Sequence, residues 1–175
     1  MKANSLPILL CVAIGAYVVQ AANVKTDYSH STDFSQYKTY SWFKAQASNS
    51  IWEDRIVHVV DAQLREKGWT KAPSGGDATV AAFGSTHNQP LLRTFYDSFG
   101  GGWYWRGFGD GIATTTVEST PVGTLVLDIF DSQTKKLIWR GVSSDVLSDK
   151  PEKNEKKLEK AVAEMFKHFP PPSKG

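Results

Sequence analysis

Gly123-Thr124-Leu125-Val126-Leu127-Asp128-Ile129-Phe130-Asp131, followed after a short polar stretch by Leu137-Ile138-Trp139-Arg140-Gly141-Val142, decides the fold. Successive strand side chains point to opposite sides, so Leu125, Leu127 and Ile129 share one face and Val126, Asp128 and Phe130 the other. Asp131 to Lys136 is polar and predicts the turn between two strands. On this reading Asp128 faces solvent from its strand and Asp131 serves the turn.

Working upstream, Ile112–Glu118 reads as a strand forming a hairpin with Gly123–Asp131 through Ser119-Thr120-Pro121-Val122. Asp77–His87 predicts another strand, and its small residues Ala78, Ala81 and Ala82 suggest close packing against a helix. Tyr37–Phe43 alternates bulky and polar residues and reads as a strand. Val24–Tyr28 is a short strand candidate, and Ser29–Gln36 is a turn-rich link.

Two stretches have helical spacing. In Ser50–Gly68, Ser50 and Glu53 predict a capping box and Gly68 the left-handed residue after the last turn. Trp52, Ile56, Val59, Val60 and Leu64 fall on one side, and Asp54, Arg55, His58, Asp61 and Arg65 on the other. Trp69 is expected to pack back under the helix end. In Pro151–His168 the apolar stripe is Leu158, Ala161, Val162, Met165, Phe166 and Phe169, with Pro170-Pro171-Pro172 ending the helix. Glu152–Lys156 and Lys160–Glu164 are spaced to pair on its surface. The element order predicts an α+β fold: an antiparallel or mixed β-sheet with two helices packed on one face.

The 175 residues are 41% hydrophobic and 22% charged, with a formal net charge of +2. That composition excludes a disordered chain and the strongly basic footprint of a nucleic-acid binder. A single cysteine excludes a disulfide framework and a multi-cysteine zinc site.

The lone cysteine lies in the uncharged run Leu6–Val19, which follows the basic Lys2. The run is too short to cross a bilayer, which takes about 20 apolar residues. It ends in Val19-Gln20-Ala21, with small residues where a signal peptidase needs them. Residues 1–21 therefore read as a signal peptide and residues 22–175 as a single α+β domain. Cys11 would be the acylation point of a lipoprotein, but Leu10 is a poor residue to precede one. Cys11 reads instead as a small apolar residue of the leader.

One segment stands apart: Phe99-Gly100-Gly101-Gly102-Trp103-Tyr104-Trp105-Arg106-Gly107-Phe108-Gly109-Asp110-Gly111. Glycines free the backbone and aromatic rings offer flat apolar faces. Trp103, Tyr104 and Trp105 are the candidate ligand-binding residues, with a cap on the core as the other reading. No Gly-Lys-Ser/Thr follows the glycines, and the third glycine of a dinucleotide loop is missing. His30, His58, His87 and His168 show no metal-ligand spacing, so neither a metal nor a cofactor is expected. Glu118, Asp128 and Asp131 are the carboxylates an acid–base mechanism would draw on.

Several of these segments together resemble the bacterial domain-of-unknown-function family 4136. They are Asp33-Phe34-Ser35-Gln36-Tyr37-Lys38-Thr39-Tyr40-Ser41-Trp42, Leu64-Arg65-Glu66-Lys67-Gly68-Trp69, Gly123–Asp131, Lys136–Gly141 and Ala161-Val162 through Phe169-Pro170-Pro171. The resemblance implies an α+β protein of the bacterial cell envelope, often a lipoprotein, and implies no activity. Trp42, Trp69 and Trp139 sit beside element ends and read as core anchors.

The expectation for function is an exported, non-enzymatic periplasmic binding or structural module. It would contact an envelope component (protein, glycan or lipid) and not nucleic acid. Two alternatives are an envelope hydrolase using Asp128 or Glu118, and a lipid-anchored assembly factor. Membrane association follows only if Cys11 is acylated.

Overall fold

The computed structural model describes residues 23–86 and 122–172. They form six strands and two α-helices: β1 (Asn23–Tyr28), β2 (Thr39–Gln46), α1 (Ser50–Glu66), β3 (Thr70–Lys71), β4 (Ala78–Ser85), β5 (Val122–Asp131), β6 (Leu137–Val146) and α2 (Pro151–Phe166). A 3-10 turn covers Phe34–Gln36. The strands build one mixed sheet in the order β1-β6-β5-β4-β2-β3. Each neighbouring pair in the run β1, β6, β5, β4 is antiparallel, whereas β2 runs parallel to both β4 and β3. This is the expected α+β fold, with a mixed sheet.

Alternation along β5 sorts the core as the sequence predicts. Leu125, Leu127 and Ile129 join the cluster holding Ile56, Val60 and Leu64 of α1 and Val162, Met165 and Phe166 of α2. Val126 and Phe130 turn to the other face with Ala81 and Phe83. Asp128 shares that second face and corrects the expectation of a solvent-facing carboxylate. It is fully buried, and both its oxygens accept hydrogen bonds from Arg140, Nε at 2.6 Å and Nη2 at 2.5 Å. The two residues are direct cross-strand partners, which places the guanidinium over the carboxylate.

A second correction concerns β5. Its edges are taken by β4 along Thr124–Asp131 and by β6 along Val122–Phe130. The hairpin expected between 112–118 and 123–131 therefore does not form along this length. Residues 112–118 themselves lie outside the described residues.

The helices keep their predicted faces with local adjustments. Asn49, not Ser50, caps α1: its side chain accepts from Trp52 N at 3.1 Å. Glu53 accepts instead from Ala47 N at 3.2 Å, two residues before the cap, so the expected reciprocal box between Ser50 and Glu53 is replaced by two separate hydrogen bonds. Gly68 has φ +82°, and the Trp69 N–H returns to Leu64 O at 2.9 Å. On α2, Glu164 pairs with Lys167 at 3.1 Å.

Asp61 departs from its expected place on the exposed side of α1. Its carboxylate accepts from Tyr40 Oη, Trp42 Nε1 and Lys71 Nζ, each at 2.8 Å, tying α1 to β2 and β3. Burial raises its pKa, but the hydrogen bonds from Lys71, Trp42 and Tyr40 outweigh that and hold it below the usual value.

Candidate functional site

Three cross-strand rows of side chains show where the helix–sheet interface closes and where it opens. The first row, Val80–Ile129–Trp139, is bulky. The second, Ala82–Leu127–Gly141, is smaller on both flanks. The third, Gly84–Leu125–Ser143, has equally small flanks, and beyond it Gly123 lies opposite Asp145. The flanking side chains are thus bulky in the first row and small in the rows nearer the ends of the helices at which both α1 and α2 begin.

The result is a cavity of about 160 Å³ between the start of α1, the start of α2 and the sheet. Ile56, Leu125, Ser143 and Ala161 form its buried floor, Trp52, Leu147 and Leu158 its half-buried walls, and Ser48 and Thr86 its exposed rim. An engineered apolar cavity of about 150 Å³ is large enough to take up benzene. Polar groups gather on the β6–α2 side. Lys157 Nζ donates to Asp145 Oδ1 at 3.3 Å and to the Val146 carbonyl. Asn154 fixes the approach to α2, accepting from Ser148 N at 2.8 Å and donating to Ser148 O at 2.7 Å. Across the mouth, Arg55 lies 4.8 Å over the Trp52 ring and pairs with Glu155 at 3.4 Å.

Two glycines keep the space clear. A Cβ on Gly84 would stand 3.1 Å from Ile56 Cδ1, and one on Gly123 would stand 2.7 Å from Leu147 Cδ2. Ile56 and Leu147 both line the cavity, so larger residues at either glycine would press them inwards.

The opposite end is filled. Trp69 follows α1 and Phe169 follows α2, and their rings meet at 5.3 Å. Phe169 also packs edge-on to Phe34, Trp139 and Phe166. Tyr37 stacks on Trp69 at 5.9 Å and donates its hydroxyl to Asp131 at 2.9 Å. Burial and then the Asp131 carboxylate push the Tyr37 pKa up to about 12. Trp69 and Trp139 are thus the core anchors the sequence predicts, and Trp42 is half-buried with its N–H on Asp61.

The candidate ligand-binding residues Trp103, Tyr104 and Trp105 lie outside the described residues, as do Glu118, Cys11 and the 1–21 leader. Asp128 and Asp131 are 3 residues apart in sequence but have separate partners, Arg140 for one and Tyr37 with Thr134 for the other. Among the described residues, no group of three or more His, Cys, Asp or Glu side chains could hold a metal ion. No described helix is long and apolar enough to cross a membrane. Sequence reasoning missed the cavity, although the glycine-for-side-chain pattern at 84 and 123 was its one visible trace.

No curated protein matches this sequence. Among solved structures, a PDZ domain protein from Parabacteroides distasonis is similar over 88% of this chain, at 16% identity and a TM-score of 0.59. This chain spans only 36% of that protein's length. A DUF4136 family protein from Bacteroides thetaiotaomicron is similar over 85% of this chain and 96% of its own, at 17% identity and a TM-score of 0.54. Both likenesses concern the fold. Residues 24–171 match the family model described as Domain of unknown function (DUF4136), and the chain belongs to that family.

Proposed function

We propose that the protein is a binding module of the bacterial cell envelope that holds a small, partly apolar ligand between the starts of α1 and α2. The observation that carries this reading is the cavity itself, with its mostly apolar floor, polar flank and open rim. Binding sites are concave and mostly apolar, with a few placed polar groups to orient the ligand. Export rests on the sequence: the basic start, the short apolar run and Val19-Gln20-Ala21 support a cleaved leader. Trp103, Tyr104 and Trp105 remain the proposed second contact surface, for an envelope protein, glycan or lipid.

A hydrolase using Asp128 is not favoured. Each of its oxygens accepts from Arg140, and the carboxylate is fully buried on the face of the sheet away from the cavity.

The test is an NMR screen of the purified, isotope-labelled protein against small envelope-derived molecules. The expected result is a set of shift changes confined to residues such as Trp52, Leu147 and Leu158, with every added molecule recovered unchanged. Shift changes that avoid these residues, or turnover of an added molecule, would overturn the reading.

A further inference from the structure

We infer that the ligand of this cavity is an uncharged aliphatic amphiphile. Its chain would lie against Ile56, Leu125 and Leu158, and an ester carbonyl or hydroxyl would reach Ser143. This rests on the binding-module reading and names the chemical class that the module takes.

Ser143 is the first support. It is 5% exposed on the cavity floor, and its hydroxyl has no hydrogen-bond partner among the described residues. A buried hydroxyl left without a partner is costly, so a polar atom of the occupant belongs beside it. A pure hydrocarbon would leave that cost in place.

Charge is the second support. Lys157 is the cation among the lining residues; its charge is already paired with Asp145, and it also donates to the Val146 carbonyl. An anionic head would meet Asp145 together with Lys157 and gain little net attraction. An uncharged head with several hydroxyls can exchange hydrogen bonds with both.

The size of the cavity is the third. A cavity of about 160 Å³ holds roughly five methylene-sized groups if each takes about the 30 Å³ of a water, the length of a short aliphatic chain.

The experiment is titration calorimetry of the purified protein with 1-monohexanoylglycerol, hexanoate at neutral pH and benzyl alcohol. Monohexanoylglycerol should bind one per chain, and hexanoate at least tenfold more weakly. Ala47→Leu, which fills the space facing Gly84, should abolish binding. Leu158→Phe, at a half-exposed wall, is the second block if Ala47→Leu fails to fold. Ser143→Ala should weaken monohexanoylglycerol about fivefold, the equivalent of one hydrogen bond. Undiminished binding to both blocked variants, or hexanoate binding as tightly as the glyceride, would overturn the inference. If benzyl alcohol alone binds, the aliphatic class fails while the binding module stands. If none of the three binds, the ligand class fails. The module fails with it only if the NMR screen also leaves the cavity unmarked.

Discussion

Where both helices finish, Phe34, Trp69, Trp139, Phe166 and Phe169 interlock with centroid separations of 5.2 to 5.9 Å. Where both helices begin, the corresponding positions are Gly84, Gly123, Ser143 and Ala161, and a cavity remains. The same sheet supports both ends, so the contrast comes from side-chain volume alone. On β6 the inward residues go from the bulky Trp139 to the small Gly141 and Ser143, and on β4 they shrink from Val80 to Ala82 to Gly84. The filled end supplies stability, and the open end is available for function. Substitutions at the two ends should therefore differ sharply in cost.

The largest effect is expected from Phe169→Ala. This ring touches four other aromatic rings and is 3% exposed, so truncation removes buried surface and leaves a void. A loss of about 3–5 kcal/mol is expected in denaturant unfolding. A loss below about 1 kcal/mol would break the contrast between the ends.

Gly141→Ala should cost less, about 1–3 kcal/mol, through overpacking. Its Cβ would stand 2.7 Å from the Trp139 ring and 2.9 Å from Met165 Sδ. Both neighbours are buried and 2% exposed, so neither has room to retreat. Thermal unfolding of this variant beside the wild type is the direct measurement.

The filled end should also govern the response to acid. Asp77 is held below the usual carboxylate value by the backbone N–H groups of Lys38 and Thr39, and Asp131 by Thr134. Asp61 is held there by the hydrogen bonds that overcome its burial. Each of these groups binds protons more weakly when folded than unfolded. Their stabilisation is therefore full above the ordinary value of 3.8 and is lost as pH falls below it. At the other extreme, Tyr37 has its pKa raised from 10.0 to about 12, so its contribution is present below pH 10 and is lost as pH rises through 12. Melting temperature followed from pH 6 to 2 should drop steeply in the wild type and less steeply in Asp61→Asn. Parallel curves would remove Asp61 from the account.

Much of this contrast was legible in the sequence, but unevenly. Alternation in β5 and the stripe of α2 are local patterns, and they placed Leu127, Ile129, Val162 and Phe166 correctly. Trp69 and Trp139 were legible because a large ring beside an element end has few other places to go. Asp61 was misplaced because a helical projection sees only its own helix, whereas Tyr40, Trp42 and Lys71 approach from two strands. Asp128 was misplaced for a related reason: counting back evenly from the Asp131–Lys136 turn sets it opposite Trp139, and the register shift between Ile129 and Phe130 is what brings it opposite Arg140. The cavity left only the glycines at 84 and 123 as a trace. It is made by what Gly84, Gly123 and Ser143 lack, on three strands whose register only the folded sheet fixes.

The smallest effect is expected from Gly123→Ala, and it is the sharpest probe of the open end. The added methyl would stand 2.7 Å from Leu147 Cδ2, about as close as the Gly141 methyl would come to Trp139. Distance alone would predict equal costs. Leu147, however, is half-buried beside free space, and the contact is with the far end of a flexible side chain. It can rotate into the cavity, so the cost should stay below about 1 kcal/mol, within the range of substitutions away from a packed core. The same rotation would narrow the cavity. Stability should thus be nearly unchanged while ligand binding falls, a separation that Gly141→Ala cannot produce. Thermal melting paired with calorimetry on the one variant measures both quantities. If Gly123→Ala instead unfolds the protein as readily as Gly141→Ala, the start of the helices is as tightly packed as their finish, and the open end is not open.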